Sequence, residues 1–156
     1  MLFRSNYLLT TKNLSLIFHK TTNLQLDIFI DASYGQHNDK KSHTGSVLQF
    51  NRNTILTKST KQKINTKSSS EAESVAVSDA IGDALHTKQL LTELGYITIP
   101  TIHQDNKSTI QLLHRGRPTH NSRHIDIKYF FVNDLLNRRS EEHTSELQSH
   151  SDLVCR

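Results

Sequence analysis

Apolar and polar positions alternate along "LQLDIFIDAS". Leu24, Leu26, Ile28 and Ile30 fall on one side, and Gln25, Asp27, Phe29 and Asp31 on the other. A period of two predicts a β-strand over Leu24–Ser33. Phe29 gives the second face an apolar residue as well, which predicts a central strand covered above and below. "YGQHNDKKSHTG" follows as a polar loop, and "SVLQF" and "TILTKS" around "NRN" predict a hairpin. The period then changes. From Ser69 to Leu94, Ala72, Ala76, Ala80 and Ala84 form one row and Val77, Ile81 and Leu85 the adjacent one, the stripe of an amphipathic helix. Gly95 stands where a helix C-terminal cap is expected. "YITIPTIHQDN" predicts another strand, with Pro100 arguing against a central hydrogen-bonded position there. "NKSTIQLLHRG" predicts a short helix ending at Gly116. "SRHIDIKYFFVNDLLN" predicts a longer one with Ile125, Tyr129, Val132 and Leu136 on one face. The order strand, hairpin, helix, strand, helix, helix predicts one mixed α/β domain.

Composition narrows the function classes. The chain of 156 residues has room for one domain with a real core. No apolar run approaches the about 18 residues a spanning helix needs, and "MLFRSNYLLTTKN" lacks the apolar stretch of a secretory signal. No membrane partner is expected. A single Cys argues against a disulfide framework and for an intracellular setting. Net charge is +4; setting aside Arg139–Arg156 leaves 17 basic and 11 acidic residues, a body at +6. That excess suits a polyanion such as nucleic acid, though a solvated basic surface gives the same count.

Against this basic background, three carboxylates stand out. Asp31 closes the first predicted strand, and Asp105 closes the second, directly before a helix. Sites in open α/β sheets form outside the carboxyl ends of strands. Either Asp alone also fits a cap or strand-end role. At the start of the long helix, Glu71 is followed at i+3, i+4 and i+7 by Ser74, Val75 and Ser78. Glu73 is followed by Ala76, Val77 and Ala80, the core-facing stripe. Glu73 is therefore the glutamate aimed at the sheet, where a carboxylate needs a cation, a donor or a proton. Capping boxes compete for both: Ser70-x-x-Glu73 and Ser68-x-x-Glu71 each fit. An oxygen-only cluster of Asp31, Glu73 and Asp105 would suit Mg²⁺ or Mn²⁺, and two such ions support phosphodiester hydrolysis. The body histidines are scattered. His120 and His124 are four apart, with no acidic or thiol companion at structural zinc spacing. No glycine-rich phosphate loop and no G-x-S-x-G occurs.

"IDASYG", "KKSHTGSVLQF", "STKQKINTKSSSEAES", "QLLTELG", "HQDNKSTIQLL" and "RHIDIKYFF" occur in this order. Together they resemble the ribonuclease H domain of copia-type long-terminal-repeat retrotransposon Pol polyproteins, over about residues 24–137. The resemblance implies a ribonuclease H-like mixed sheet flanked by helices. It also implies two-metal, Mg²⁺-dependent hydrolysis of the RNA strand of RNA–DNA hybrids during reverse transcription. The intact element would supply a reverse transcriptase domain as partner and a cytoplasmic virus-like particle as setting. Carried onto this chain, the catalytic and metal-binding residues are Asp31, Glu73 and Asp105. Ser69, Ser70, Asn106 and Ser108 fall where contacts to the substrate backbone are expected. Residues 1–23, with "YLLTTKNLSLIF", resemble the end of the segment joining reverse transcriptase to this domain, which then spans 24–138.

The pattern also departs from the family. Asp126, in the "HIDIKYFF" motif, reads as a structural residue at a helix N-terminus rather than a fourth carboxylate. In the family the fourth comes later, within a following strand and helix, neither of which anything in this chain matches. The chain has no Trp, and Tyr34, Thr57, Ser74 and His86 stand where aromatics are usual in the family. "RSEEHTSELQS" and "DLVCR" back-translate to strings resembling a sequencing adapter, so residues 139–156 are expected to be a foreign, disordered tail. The natural sequence is then expected to stop near Asn137 or Arg138, without the last strand and last helix, and the activity to be impaired. The alternative is a catalytically dead retroelement remnant that binds nucleic acid weakly. An integrase-like core is disfavoured, because its carboxylates run Asp, Asp, Glu along the chain and these run Asp31, Glu73, Asp105.

Overall fold

The computed structural model describes residues 2–20 and 24–115. The expected helix over 122–137, Asp126 and the 139–156 tail lie outside the described residues, as do His120 and His124. Element order is α1 (Leu2–Thr11), β1 (Leu26–Ser33), β2 (His43–Phe50), β3 (Asn53–Lys61), α2 (Ser69–Glu93), β4 (Pro100–His103) and α3 (Lys107–Arg115). The strands form one sheet in the order β3-β2-β1-β4. β1 pairs antiparallel with β2 and parallel with β4, and β2 pairs antiparallel with β3. Two antiparallel joins and one parallel join make the mixed sheet the sequence predicts, with β1 inside it.

Local chemistry explains the turns. The hairpin between β2 and β3 closes over Asn51 (φ 53°) and Arg52 (φ 64°). Two left-handed residues in succession define the tight turn whose twist matches that of paired strands. Asn51 is buried, and its Oδ1 accepts from the Gln25 amide at 2.8 Å while its own amide donates to the Gln25 carbonyl at 2.8 Å. The turn is thereby fastened to the entry of β1. α2 ends with the Gly95 amide donating to the Thr92 carbonyl and the Tyr96 amide to the Leu91 carbonyl. Gly95 has φ 86°, a conformation that costs a side-chain-bearing residue steric strain.

Two predicted strands prove shorter than their apolar patterns. β1 starts at Leu26, because its ladder partner β2 ends at Phe50, opposite Leu26. Leu24 lies beyond that pairing and is exposed. β4 spans only Pro100–His103, and Pro100 sits opposite Leu26, so residues 96–99 have no β1 ladder to extend. Pro100 occupies the first strand position, where a missing N–H is tolerated.

One face of the sheet carries the core. Leu26, Ile28 and Ile30 of β1, Leu48 of β2 and Ile102 of β4 pack with Val75, Ala76, Val77, Ala80, Ile81 and Ala84 of α2. Each fully buried aliphatic side chain of this kind contributes about 1.5–3 kcal/mol. The alanine row lets the helix approach the sheet closely. The other face of β1 is less covered than its pattern predicts: Phe29 is 42% exposed and stacks on His103, ring centroids 4.3 Å apart. Asp27 on that face is nonetheless buried, with Oδ1 accepting from Gln25 Nε2 at 2.9 Å and lying 2.8 Å from His103 Nε2.

α1 and the strand-free segment after it lie apart from this core. Tyr7, Leu8, Leu9, Leu14, Leu16, Ile17 and Phe18 are all exposed. Asn53 ties the segment to the hairpin, accepting from the His19 amide at 2.7 Å and donating to its carbonyl at 3.0 Å. Among the described residues, no helix is long and apolar enough to cross a membrane.

Candidate metal centre

Three elements deliver the carboxylates. Asp31 comes from β1, Asp105 from the turn directly after β4, and Glu73 from the start of α2. β1 and β4 run parallel, so both Asp residues emerge at the same end of adjacent strands. One carboxylate oxygen from each of Asp31, Glu73 and Asp105 lies within 4.8 Å of the others. Asp31 and Asp105 are exposed and Glu73 is buried.

The capping competition resolves in favour of this site. Ser68 is the N-cap of α2, its side chain accepting from the Glu71 amide at 3.2 Å. Glu71 reaches back to accept from the Lys67 amide at 2.7 Å. Glu71 is the capping glutamate, and Glu73, two residues on, turns inward.

Glu73 is held by one main partner. Gln104 is almost fully buried; its Nε2 donates to Glu73 Oε2 at 3.0 Å and its Oε1 accepts from the Asn106 amide at 3.0 Å. One carboxamide thus bridges α2 to the β4–α3 turn that carries Asp105. Burial pushes the Glu73 carboxyl above its ordinary range, the Gln104 hydrogen bond pulls it back, and the charges of Asp31 and Asp105 push it up again. A hydrogen bond from the Ala32 backbone also pulls it down. The cluster therefore holds like charges against their repulsion, a cost that a bound cation would relieve. Its donors are all oxygens, which suits a hard divalent cation over a thiophilic one.

Gln104 was not singled out from the sequence. Its signal lies in the alternation of "TIHQD": Ile102 points inward, His103 outward, and Gln104 inward, a polar residue on a core register beside a carboxylate. The contact of His103 with Asp27 has no sequence signal either, because strand patterns do not reveal the register of β4 against β1, in which Phe29 and not Asp27 lies opposite His103.

The four backbone-contact candidates surround the cluster in different roles. Asn106 caps α3, its Oδ1 accepting from the Ser108 and Thr109 amides at 3.0 and 3.1 Å. The Ser70 carbonyl accepts from Ser74 Oγ at 2.8 Å and Thr109 Oγ1 at 3.2 Å, joining α2 to α3. Ser69 and Ser108 are exposed in the first turns of α2 and α3. A groove of about 630 Å³ runs beside the carboxylates, lined among others by Asp31, Val47, Thr57, Lys58, Ser59 and Asp105. Lys58 also pairs with Asp83 at 2.7 Å.

No protein-family profile matches the sequence. The chain is 32% identical over 135 residues, 83% of its length, to the retrovirus-related Pol polyprotein from transposon RE1 of Arabidopsis thaliana. It is 31% identical over 112 residues, 69% of its length, to the transposon Ty1-ER2 Gag-Pol polyprotein of Saccharomyces cerevisiae. The chain spans only 9% and 6% of those two relatives. Among solved structures it resembles LC11-RNase H1 isolated from compost, with a TM-score of 0.54 at 14% identity, covering 86% of both chains. It also resembles the N-terminal RNase H domain of Rv2228c from Mycobacterium tuberculosis, with a TM-score of 0.50 at 14% identity, covering 74% of this chain and 76% of that one.

Proposed function

The chain is a ribonuclease H-fold domain of the retrotransposon Pol type, and on that premise we propose that it hydrolyses the RNA strand of RNA–DNA hybrids. The observation that carries the proposal is the convergence of Asp31, Glu73 and Asp105 within 4.8 Å at the shared end of two parallel strands. In this reading the three carboxylates hold Mg²⁺, with Mn²⁺ as a substitute and two ions in the working site. When bound, such ions lower the pKa of a water and stabilise a leaving oxygen at phosphorus.

The rest of the work falls to the protein. Gln104 keeps Glu73 turned toward the Asp pair. In this reading the groove lined by Lys58 and Ser59 receives the sugar–phosphate backbone, and Ser69 and Ser108, exposed in the first turns of α2 and α3, donate to phosphate oxygens. The body charge of +6 supplies a sequence-independent attraction to the hybrid. The exposed apolar residues between Tyr7 and Phe18 support the reading of residues 1–23 as the connection to a reverse transcriptase domain of the same polyprotein.

The test is cleavage of a labelled RNA–DNA hybrid by the purified chain with Mg²⁺, beside Asp31→Asn. Slow cleavage is expected from the wild-type chain, falling in the variant by more than the about 10–100-fold that even outer partners of a metal cost when removed. Cleavage that survives Asp31→Asn would come from another source and would sink the proposal. Absence of cleavage with Mg²⁺ binding intact would favour a remnant that kept the site and lost the reaction.

A further inference from the structure

We propose that His37 and His43 form a second, separate metal site, for a borderline divalent transition ion such as Cu²⁺. The two rings come from different elements: His37 from the loop between β1 and β2, and His43 from the first position of β2. His37 Nε2 lies 3.0 Å from His43 Nδ1, and both residues are half-buried. The observed contact is a hydrogen bond; if the rings turn both lone pairs to a shared ion with the nitrogens still about 3.0 Å apart, metal–nitrogen bonds of about 2.0–2.1 Å would subtend about 94°. That is a cis angle of the tetragonal geometry copper(II) and nickel(II) prefer. Tetrahedral zinc would need the nitrogens to part to about 3.3 Å.

The loop is built to hold the pair. The Gly35 amide donates to Ser42 Oγ at 3.2 Å, the Lys40 amide to the His37 carbonyl at 2.8 Å, and the His37 amide to the Lys41 carbonyl at 3.2 Å. Asp39 pairs with Lys61 at 2.7 Å, which neutralises the lysine directly opposite His43 in the ladder. His43 also has a hydrogen-bond partner on its other ring nitrogen, which can fix the ring as outer partners of metal-bound histidines do: its Nε2 lies 2.7 Å from Ser59 Oγ. With the Nε2 proton donated to Ser59, Nδ1 of His43 carries a lone pair toward His37. A tautomer change at His37 moves its proton from Nε2 to Nδ1 and supplies the second lone pair. The rings then swing so that both lone pairs converge on the ion instead of sharing a proton. A cleft of about 370 Å³, lined by Gln36, His37, Asn38, Asp39 and Lys61, leaves room for water on the His37 side of the pair. Nitrogen donors distinguish this site from the all-oxygen cluster of Asp31, Glu73 and Asp105. Ser59 also lines the groove beside those carboxylates, so an ion here is tied to the groove wall.

Cu²⁺ titration of the full chain, with Mg²⁺ in large excess, tests the site through the ring-proton signals of the histidines. The signals of His37 and His43 should broaden first, at less than one ion per chain. Apparent Cu²⁺ affinity should fall at least 10-fold in His37→Ala and in His37→Gln, and by a smaller factor in Ser59→Ala. His37 lies in a loop and outside the core, so its variants keep the fold, which circular dichroism checks. Broadening spread evenly over the ten histidines, or affinity within twofold of wild type in both His37 variants, would overturn the proposal. Neither result depends on ribonuclease activity or on the carboxylate cluster.

Discussion

Gln104→Leu should expose how the acidic cluster is held together. The substitution keeps a buried side chain of similar bulk and removes both polar ends of the bridge. It deletes the 3.0 Å bond to Glu73 Oε2, a charge-assisted hydrogen bond of about 1.5–3 kcal/mol. It also orphans the Asn106 amide, which now donates to Gln104 Oε1 at 3.0 Å. An orphaned buried amide costs about 1–3 kcal/mol, but Asn106 is half-buried and water can partly replace the lost acceptor. The expected loss is about 3 kcal/mol, a large fraction of the about 5–15 kcal/mol available to a domain. Urea unfolding of wild type, Gln104→Leu, Glu73→Gln and the double variant closes a thermodynamic cycle. Coupling of about 1.5 kcal/mol or more between the two positions is expected, and it should shrink at acidic pH as Glu73 takes up a proton. Gln104→Leu costing under about 1 kcal/mol, or costing the same whether position 73 is Glu or Gln, would refute the reasoning.

Because burial raises the Glu73 carboxyl above its ordinary value of 4.5, its contribution to stability is fully present below that value and is lost as pH rises through the folded one. Metal-free Glu73→Gln should therefore be more stable than wild type at neutral pH and lose that advantage in acid, as measured by urea midpoints across the pH range. Mg²⁺ at 100 times its dissociation constant should stabilise wild type by about 2.7 kcal/mol and Glu73→Gln by clearly less, read as a shift in melting temperature. Arg52→Gly should stabilise the hairpin by about 0.5–1 kcal/mol, since Arg52 holds φ 64° in a turn that favours Asn-Gly; an unchanged or lower urea midpoint would contradict this.

Features that depend on neighbours along the chain were legible in the sequence. The alanine and Val77–Ile81 rows of α2, its Gly95 terminus, the "NRN" turn and the short α3 are set by period and cap chemistry within a few residues. Helical geometry also separated Glu73 from Glu71, because positions three and four apart share a face wherever the helix packs. Strand-end position and helix face already bring Asp31, Glu73 and Asp105 together as one candidate cluster, and the family resemblance assigns the same three.

Strand ends were less legible, since a strand stops where its partner stops. Leu24 and residues 96–99 carry strand-like patterns and have no ladder to join. The partners of the polar side chains were the least legible. Gln104 meets Glu73 across 31 positions, and His103 meets Asp27 across 76. The capping motif "SSSEAE" is locally ambiguous, and the point where the helix starts decides it: with Ser68 as N-cap, Glu71 is the third helical residue and accepts from the Lys67 amide. Sequence alone determined the periodic elements and the inward aim of Glu73, because those follow from backbone geometry. Only the tertiary structure decided which buried polar groups share a hydrogen bond. That choice depends on the register and packing of elements far apart in the chain, and desolvation penalises every alternative that leaves a donor or a charge unpaired.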